Sequence, residues 1–251
     1  MVRGGGIVAA ATEPDSDETY LRRGTAEFRR ANLALFAAGF ATFVQLYCVQ
    51  PLMPVFAAEF GVSAAASSLS LSLTTLILAP MLIVASSLSE AGSRKAVMAL
   101  SLVASSALAF VAAVAPNFTW LLLARALEGV ALSGVPAVAM AYLGEETHPR
   151  SVGLAVGLLI AGNGFGGMAG RFAAGVITDF ASWRVALFVL GLIGLLSAVL
   201  VWRTLPPARH FRADRAGAPS RYSPMNAMRS MGLSLPGQLP CGASSKLEVF
   251  A

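Results

Sequence analysis

The stretch Gly157-Leu-Leu-Ile-Ala-Gly-Asn-Gly-Phe-Gly-Gly-Met-Ala-Gly-Arg171 decides how this chain is read. Within it, Gly162-Asn163-Gly164-Phe165-Gly166-Gly167 fits G-x-G-x-x-G, the spacing that cradles a dinucleotide pyrophosphate. That fingerprint has meaning only where a strand feeds the glycines, a helix leaves them and an acidic residue follows about 20 residues on. Here the residues from Ser151 to Gly170 carry no charge, and their flanks show neither strand alternation nor a turn signal. The nucleotide reading is set aside. The glycines lie inside one long apolar run, and the question becomes what a helix needs them for.

The composition answers in part. Of 251 residues 56% are hydrophobic and 12% charged, against about 25% charged in soluble domains, and the mean hydropathy is +0.70. This composition points to an all-α integral membrane protein. The net charge of +5 does not indicate a nucleic-acid partner, because Lys and Arg fall between apolar segments and do not cluster on a polar domain with interleaved aromatics. Cys48 and Cys241 lie in an apolar run and a polar tail, so neither a disulfide framework nor a metal site is indicated, and no cofactor motif remains.

A helix crosses the hydrocarbon layer in about 20 mainly apolar residues. Six stretches have that length: 31–56, 64–88, 96–115, 118–142, 151–176 and 183–205. Their ends are marked by Glu59-Phe-Gly61, Glu90 to Lys95, Pro116-Asn117, Glu145 to Arg150 and Asp179 to Arg184. The organisation predicted is a polar tail over 1–30, a six-helix bundle over 31–205, and a tail over 206–251, basic at first and disordered further on. The first apolar run is too long for a signal peptide, so no cleavage is expected.

Positive loops stay cytoplasmic. With the N-terminus inside, fifteen of the 18 Lys and Arg residues fall in cytoplasmic segments, so both termini are expected there, in a cell inner membrane. Asn117-Phe-Thr119 matches a glycosylation sequon by chance, in a loop too tight to accept a sugar. Ser89-Glu-Ala-Gly-Ser-Arg-Lys95 and Thr178-Asp-Phe-Ala-Ser-Trp-Arg184 share a hydroxyl, an acid, a Ser and a terminal base at an offset of 89 residues. Three spans make that unit, and an odd number inverts the second copy, predicting a 3+3 inverted repeat of the kind on which secondary transporters are built.

Charges inside a membrane are costly and mark function by default. Arg125 and Glu128 lie three apart on the fourth span, on one helix face, where they compensate each other. Two readings stand: a static brace, or a proton-coupling or substrate-charge site. Arg171 lies toward the outer end of the fifth span, where its stem can snorkel to the interface. Ser89, Glu90, Arg94 and Lys95 form a short charged loop between the second and third spans.

That loop and Arg125-x-x-x-Gly129 together resemble the major facilitator superfamily of transporters, whose second-to-third helix loop reads G-x-L-[S]-D-x-x-G-R-K and whose fourth helix carries R-x-x-x-G. Here the loop stands as Ser86-Ser-Leu-Ser-Glu90-Ala-Gly-Ser-Arg94-Lys95, with Glu for Asp and the second glycine displaced by one. The resemblance runs from about Leu21 to Phe211 and takes in Tyr47-Cys-Val-Gln-Pro51-Leu-Met-Pro54, the glycine run and Asp179-Phe-Ala-Ser-Trp183-Arg184. It looks most like the bacterial proton-coupled efflux branch. The resemblance implies a gate at the Ser89–Lys95 loop, a glycine-packed fifth helix at a seam with the other half of the transporter, and proton-coupled exchange of a small organic solute or drug. It also implies twelve helices, of which this chain supplies six.

At 100° per residue, Gly153, Gly157, Gly164 and Gly175 fall within about 40° of one another, with Gly162, Gly166 and Gly170 on the opposite side. Small residues at four-residue spacing let helices approach closely, so the fifth helix is expected to wedge between two neighbours. Asn163 is the polar exception, and with Gln45, Tyr47 and Gln50 it is a cavity candidate. An intramembrane protease is disfavoured, since His148 and His210 are outside the spans and no Asp lies mid-span; a channel filter is not found either. The chain is therefore read as the amino-terminal half of a non-enzymatic secondary transporter. Its expected partners are the bilayer, protons, a small-molecule substrate, and either the missing half or a second copy as homodimer. The alternative is a truncated, non-transporting product, aberrant after about residue 218.

Overall fold

The structure, a computed structural model, describes residues 20–91 and 93–206, except for the side chains of residues 88–91. The expectations for residues 1–19, for the tail from residue 207 on and for the side chains of Ser89 and Glu90 fall outside the described residues. Eight helices follow in order: α1 Ala26–Tyr47, α2 Met53–Phe60, α3 Ala64–Ala91, α4 Arg94–Ala113, α5 Phe118–Leu132, α6 Gly134–Glu146, α7 Pro149–Phe180 and α8 Trp183–Thr204.

Local chemistry sets the starts. The side chains of Thr25, Asn117 and Ser182 accept from the backbone N–H of Phe28, Trp120 and Val185, each occupying a donor that a helix N-terminus leaves open. Pro149 opens α7, where a missing N–H costs nothing. Gly61, at φ 63°, ends α2 in the left-handed conformation that favours glycine.

Two of the expected spans are interrupted. The first divides into α1 and α2 because Pro51 lacks an N–H and biases Gln50 out of the helical region. The fourth divides at Ser133 into α5 and α6, which together cover 29 residues. Among the described residues, five stretches are long and apolar enough to cross a membrane: 64–87, 94–113, 118–146, 149–180 and 183–204. α1 is not among them, its apolarity lowered by Arg30, Asn32 and Gln45. α1 begins at Ala26, and the segment before it is in contact with the bundle. Leu21 donates its N–H to the Glu146 carbonyl at 2.8 Å and accepts from His148 N–H at 3.2 Å, so this segment is fastened to the joint between α6 and α7.

The helices pair as α1 with α7, α4 with α8 and α3 with α5. In the first pair, a Cβ on Gly162 or Gly170 would stand 2.6 Å from the carbonyl oxygens of Phe36 and Val44, and one on Gly166 would run into that of Phe40. Glycines 162, 166 and 170 thus lie directly on the α1 backbone at residues 36, 40 and 44, and since both series ascend together the helices are parallel. The other expected stripe behaves differently. A Cβ on Gly153, Gly157 or Gly164 would meet nothing within 4 Å, and one on Gly175 would only touch Pro51 at 3.8 Å, so α7 wedges against α1 on one face and leaves most of its second glycine face uncovered among the described residues.

α3 and α5 also run parallel, with Gly129 against the Thr74 carbonyl, while in the antiparallel α4–α8 pair Gly191 meets Phe110 and Gly194 meets Ser106. Large apolar side chains such as Leu100, Leu127, Phe172 and Leu196 remain more than half exposed. An apolar exterior of this extent suits lipid as its surroundings.

Candidate functional site

The break after α1 builds the site. The N–H of Gln50 turns to the Tyr47 carbonyl, which leaves the carbonyls of Gln45 and Leu46 without their helical donors, the ordinary condition of a helix C-terminus. Arg125 of α5 fills the gap. Its Nη1 donates to the Gln45 carbonyl at 3.1 Å, its Nη2 to that of Leu46 at 3.0 Å and its Nε to the Ser70 carbonyl of α3 at 3.3 Å. The same Nη1 donates to Glu128 Oε2 at 2.7 Å, and the side chains are both 1% exposed. A cation at a helix C-terminus is favoured by the helix dipole. Arg125 therefore joins α1, α3 and α5.

The surroundings secure the geometry. Thr74 Oγ1 lies 3.0 Å from the Arg125 carbonyl and 3.0 Å from that of Ser70, both acceptors for its one proton. The absence of a side chain at Gly129 lets α5 come down on Thr74, which brings Arg125 within reach of Ser70. The two residues of Arg125-x-x-x-Gly129 thus serve one contact. Glu128 presents its second oxygen, Oε1, buried and without a hydrogen-bond partner among the described residues.

The other candidates are placed as follows. Gln45 is fully buried and turns its Nε2 to Ser106 Oγ at 3.4 Å, between α1, α4 and α8, so it packs the interior and does not line an open face. Tyr47, Gln50 and Asn163 are half-buried. Asn163 lies against Gly39, and the Arg171 guanidinium carbon stands 4.5 Å from the Tyr47 ring centroid. Arg94 is buried and pairs with Glu145 of α6 at 2.6 Å, and Lys95 stands 5.7 Å from the Trp202 ring centroid of α8. Arg94 and Lys95, expected in a loop, form the first turn of α4 and are anchored to α6 and α8 at one end of the bundle.

At the opposite end a clasp is present that the sequence marked only as span ends. Glu59 accepts from Arg184 Nη1 at 2.5 Å and from the Trp183 indole, and Arg184 Nη2 donates to the Ala115 carbonyl at 3.2 Å. Phe56, Phe60 and Trp183 stack in the same place. The Arg184 hydrogen bond is the main cause that holds the Glu59 carboxyl below its ordinary range, with burial opposing it and Trp183 adding to it. Because the folded value is depressed, the stabilisation is present above the unfolded carboxyl value and is lost as pH falls through the folded one. The pair is exposed, so its contribution is under about 1 kcal/mol. Thermal unfolding in detergent across the acid range is expected to show this loss in the wild type and not in Glu59→Gln.

A many-helix bundle, apolar outside and holding a buried arginine–glutamate pair at a broken helix end, defines the class: a polytopic membrane protein. The chain belongs to the Major Facilitator Superfamily, whose sequence profile matches residues 35–239. That match runs past Phe211, where the resemblance was expected to stop. The chain is 49% identical over 193 residues to the uncharacterized MFS-type transporter YybF of Bacillus subtilis (strain 168), covering 77% of this chain and 48% of that one. It is 48% identical over 193 residues to the inner membrane transport protein YnfM of Escherichia coli (strain K12), covering 77% and 46%. The chain thus spans about half the length of the curated relatives it matches. Among solved structures, a bacterial homolog of the human lysosomal transporter Spinster, inward-facing and unoccupied, superposes with a TM-score of 0.70 at 19% identity, over 83% of this chain and 50% of that one. It supports the fold alone. Membership of a transporter family does not favour the truncated, non-transporting alternative.

Proposed function

We propose that the chain is the amino-terminal six-helix bundle of a secondary transporter that moves a small organic solute outward in exchange for protons, with no enzymatic step. The observation that carries the coupling is Glu128. One of its oxygens is neutralised by Arg125, and the other is buried without a partner among the described residues. A carboxylate charge is costly to bury, and a proton taken up at the free oxygen removes that charge. Proton uptake at Glu128 loosens its hold on Arg125, which also holds α1 and α3, so protonation and helix arrangement are linked.

The 3+3 repeat is supported by the pairing of helices. Exchanging the first three spans for the second three turns the parallel α1–α7 pair into the parallel α5–α3 pair and returns the antiparallel α4–α8 pair to itself. A second six-helix bundle, in a further stretch of sequence or another copy of this chain, faces the uncovered glycine side of α7, and the two rock about the site between them.

Two measurements test this reading. In proteoliposomes, a pH gradient is expected to drive accumulation of a transported organic dye, and accumulation indifferent to the gradient sinks the coupling. For topology, six crossings with both termini cytoplasmic predict that a cysteine at Asn117, in a background lacking Cys48 and Cys241, reacts with an impermeant reagent in whole cells. One at Ser93 should be protected, and the reverse pattern rejects the orientation.

A further inference from the structure

One face of α1 carries aromatic side chains at Phe36, Phe40, Phe43 and Tyr47, spaced four, three and four apart, and all four are half-buried. This spacing keeps one side of a helix. Along its edge, Asn163, Gly167 and Arg171 follow one another at four-residue intervals on the parallel α7. Asn163 lies against Gly39, a Cβ on Gly167 would stand 3.3 Å from the Tyr47 ring, and Arg171 lies over that ring. The seam is therefore an aromatic row with an amide at mid-length and a cation at one end.

Arg171 is the unusual element. It is exposed, and among the described residues it has neither an acidic partner nor an acceptor for its N–H groups. It sits nine residues before the end of α7, roughly 13 Å of helix rise, and its guanidinium lies over the Tyr47 ring. A cation within a spanning helix is expensive and is retained for function by default. The cation–π contact with Tyr47 offsets part of that expense and leaves the guanidinium N–H groups to meet a ligand. A planar guanidinium pairs with a carboxylate in a two-pronged geometry that an ammonium does not match.

We propose that Arg171, Tyr47 and Asn163 form an oxyanion-recognising subsite that takes the carboxylate of an organic solute, whose apolar body lies along Phe36, Phe40 and Phe43. This deepens the transport reading and rests on it for the word solute, since an anionic lipid headgroup has the same oxyanion chemistry. The site would thus prefer amphiphilic acids over amines of the same shape.

The test is equilibrium binding to the purified chain in nanodiscs, with no gradient, so that its failure is separate from a failure of transport. The probes are 2-naphthoate, 2-naphthamide and 2-naphthylmethylamine. In phosphatidylcholine discs naphthoate is expected to bind about tenfold or more tightly than naphthamide, the scale of one charge-assisted hydrogen bond, with the amine weakest. Arg171→Gln should bring naphthoate down to the amide, Arg171→Lys should restore part of the difference, and Phe40→Ala should weaken all three probes alike. Equal binding of naphthoate and naphthamide by the wild type overturns the proposal without recourse to any variant, as does a preference that survives Arg171→Gln. The lipid source is separated by adding phosphatidylglycerol to the discs. Undiminished naphthoate binding supports a solute site, and competition by phosphatidylglycerol assigns the subsite to lipid and overturns it.

Discussion

Arg125→Leu is expected to cost about 3–5 kcal/mol of folding stability, the range for removing one partner of a buried ion pair. The loss has named parts. The Glu128 carboxylate loses its cation, and the Gln45 and Leu46 carbonyls at the broken end of α1 lose the guanidinium. Against a total stability of about 5–15 kcal/mol, most of the variant should misassemble, read as a lower unfolding temperature and an aggregate peak in size-exclusion chromatography. Arg125→Leu combined with Glu128→Leu should recover part of the loss, because no uncompensated charge remains, while the Leu46 carbonyl stays uncapped and that of Gln45 keeps only the Cys48 thiol. An Arg125→Leu chain as stable as the wild type contradicts the bracing role.

Gly166→Val is expected to be the next most damaging change. A Cβ at that position meets the Phe40 carbonyl of α1, which is backbone and has no rotamer to yield. The helices must separate along the whole row of 162, 166 and 170, at about 3 kcal/mol, the upper end for overpacking. Gly164→Val is the matched control two residues away: its added atoms enter open space, and its effect should lie within about 0.5 kcal/mol. Similar unfolding temperatures for the two variants would mean that α7 does not rest on α1 by this face.

This contrast also shows what could be read from the chain without coordinates. The spacing of the glycines divided α7 into two smooth faces, because helical period alone determines direction around the axis. Which face met a helix of this chain depends on the partner, and nothing in 157–171 names α1. The pairing of Arg125 with Glu128 was legible from their separation of three. The carbonyls of Gln45 and Leu46 were not, since backbone acceptors become available only where a helix ends, although Pro51 was the sign of that ending. Polarity alone makes Gln45 a cavity candidate, whereas Ser106 and Gly194 from two distant helices give it an interior place. Glu59 and Arg184 were noted as span ends of opposite charge. Counting spans puts both at the same end of the bundle, so the clasp between them was available to be found.

In the proposed transporter the buried pair couples protons to solute movement and does more than brace the bundle. Exchange of labelled for unlabelled solute across proteoliposomes needs the helices to rearrange but needs no net proton transfer, whereas accumulation driven by a pH gradient needs both. Glu128→Gln keeps a hydrogen-bond acceptor for Arg125 and removes the proton site, so the variant should keep exchange near the wild-type rate and lose gradient-driven accumulation. Accumulation retained by a folded Glu128→Gln protein, or exchange and accumulation lost together, would contradict the claim and leave Arg125 and Glu128 as a structural brace.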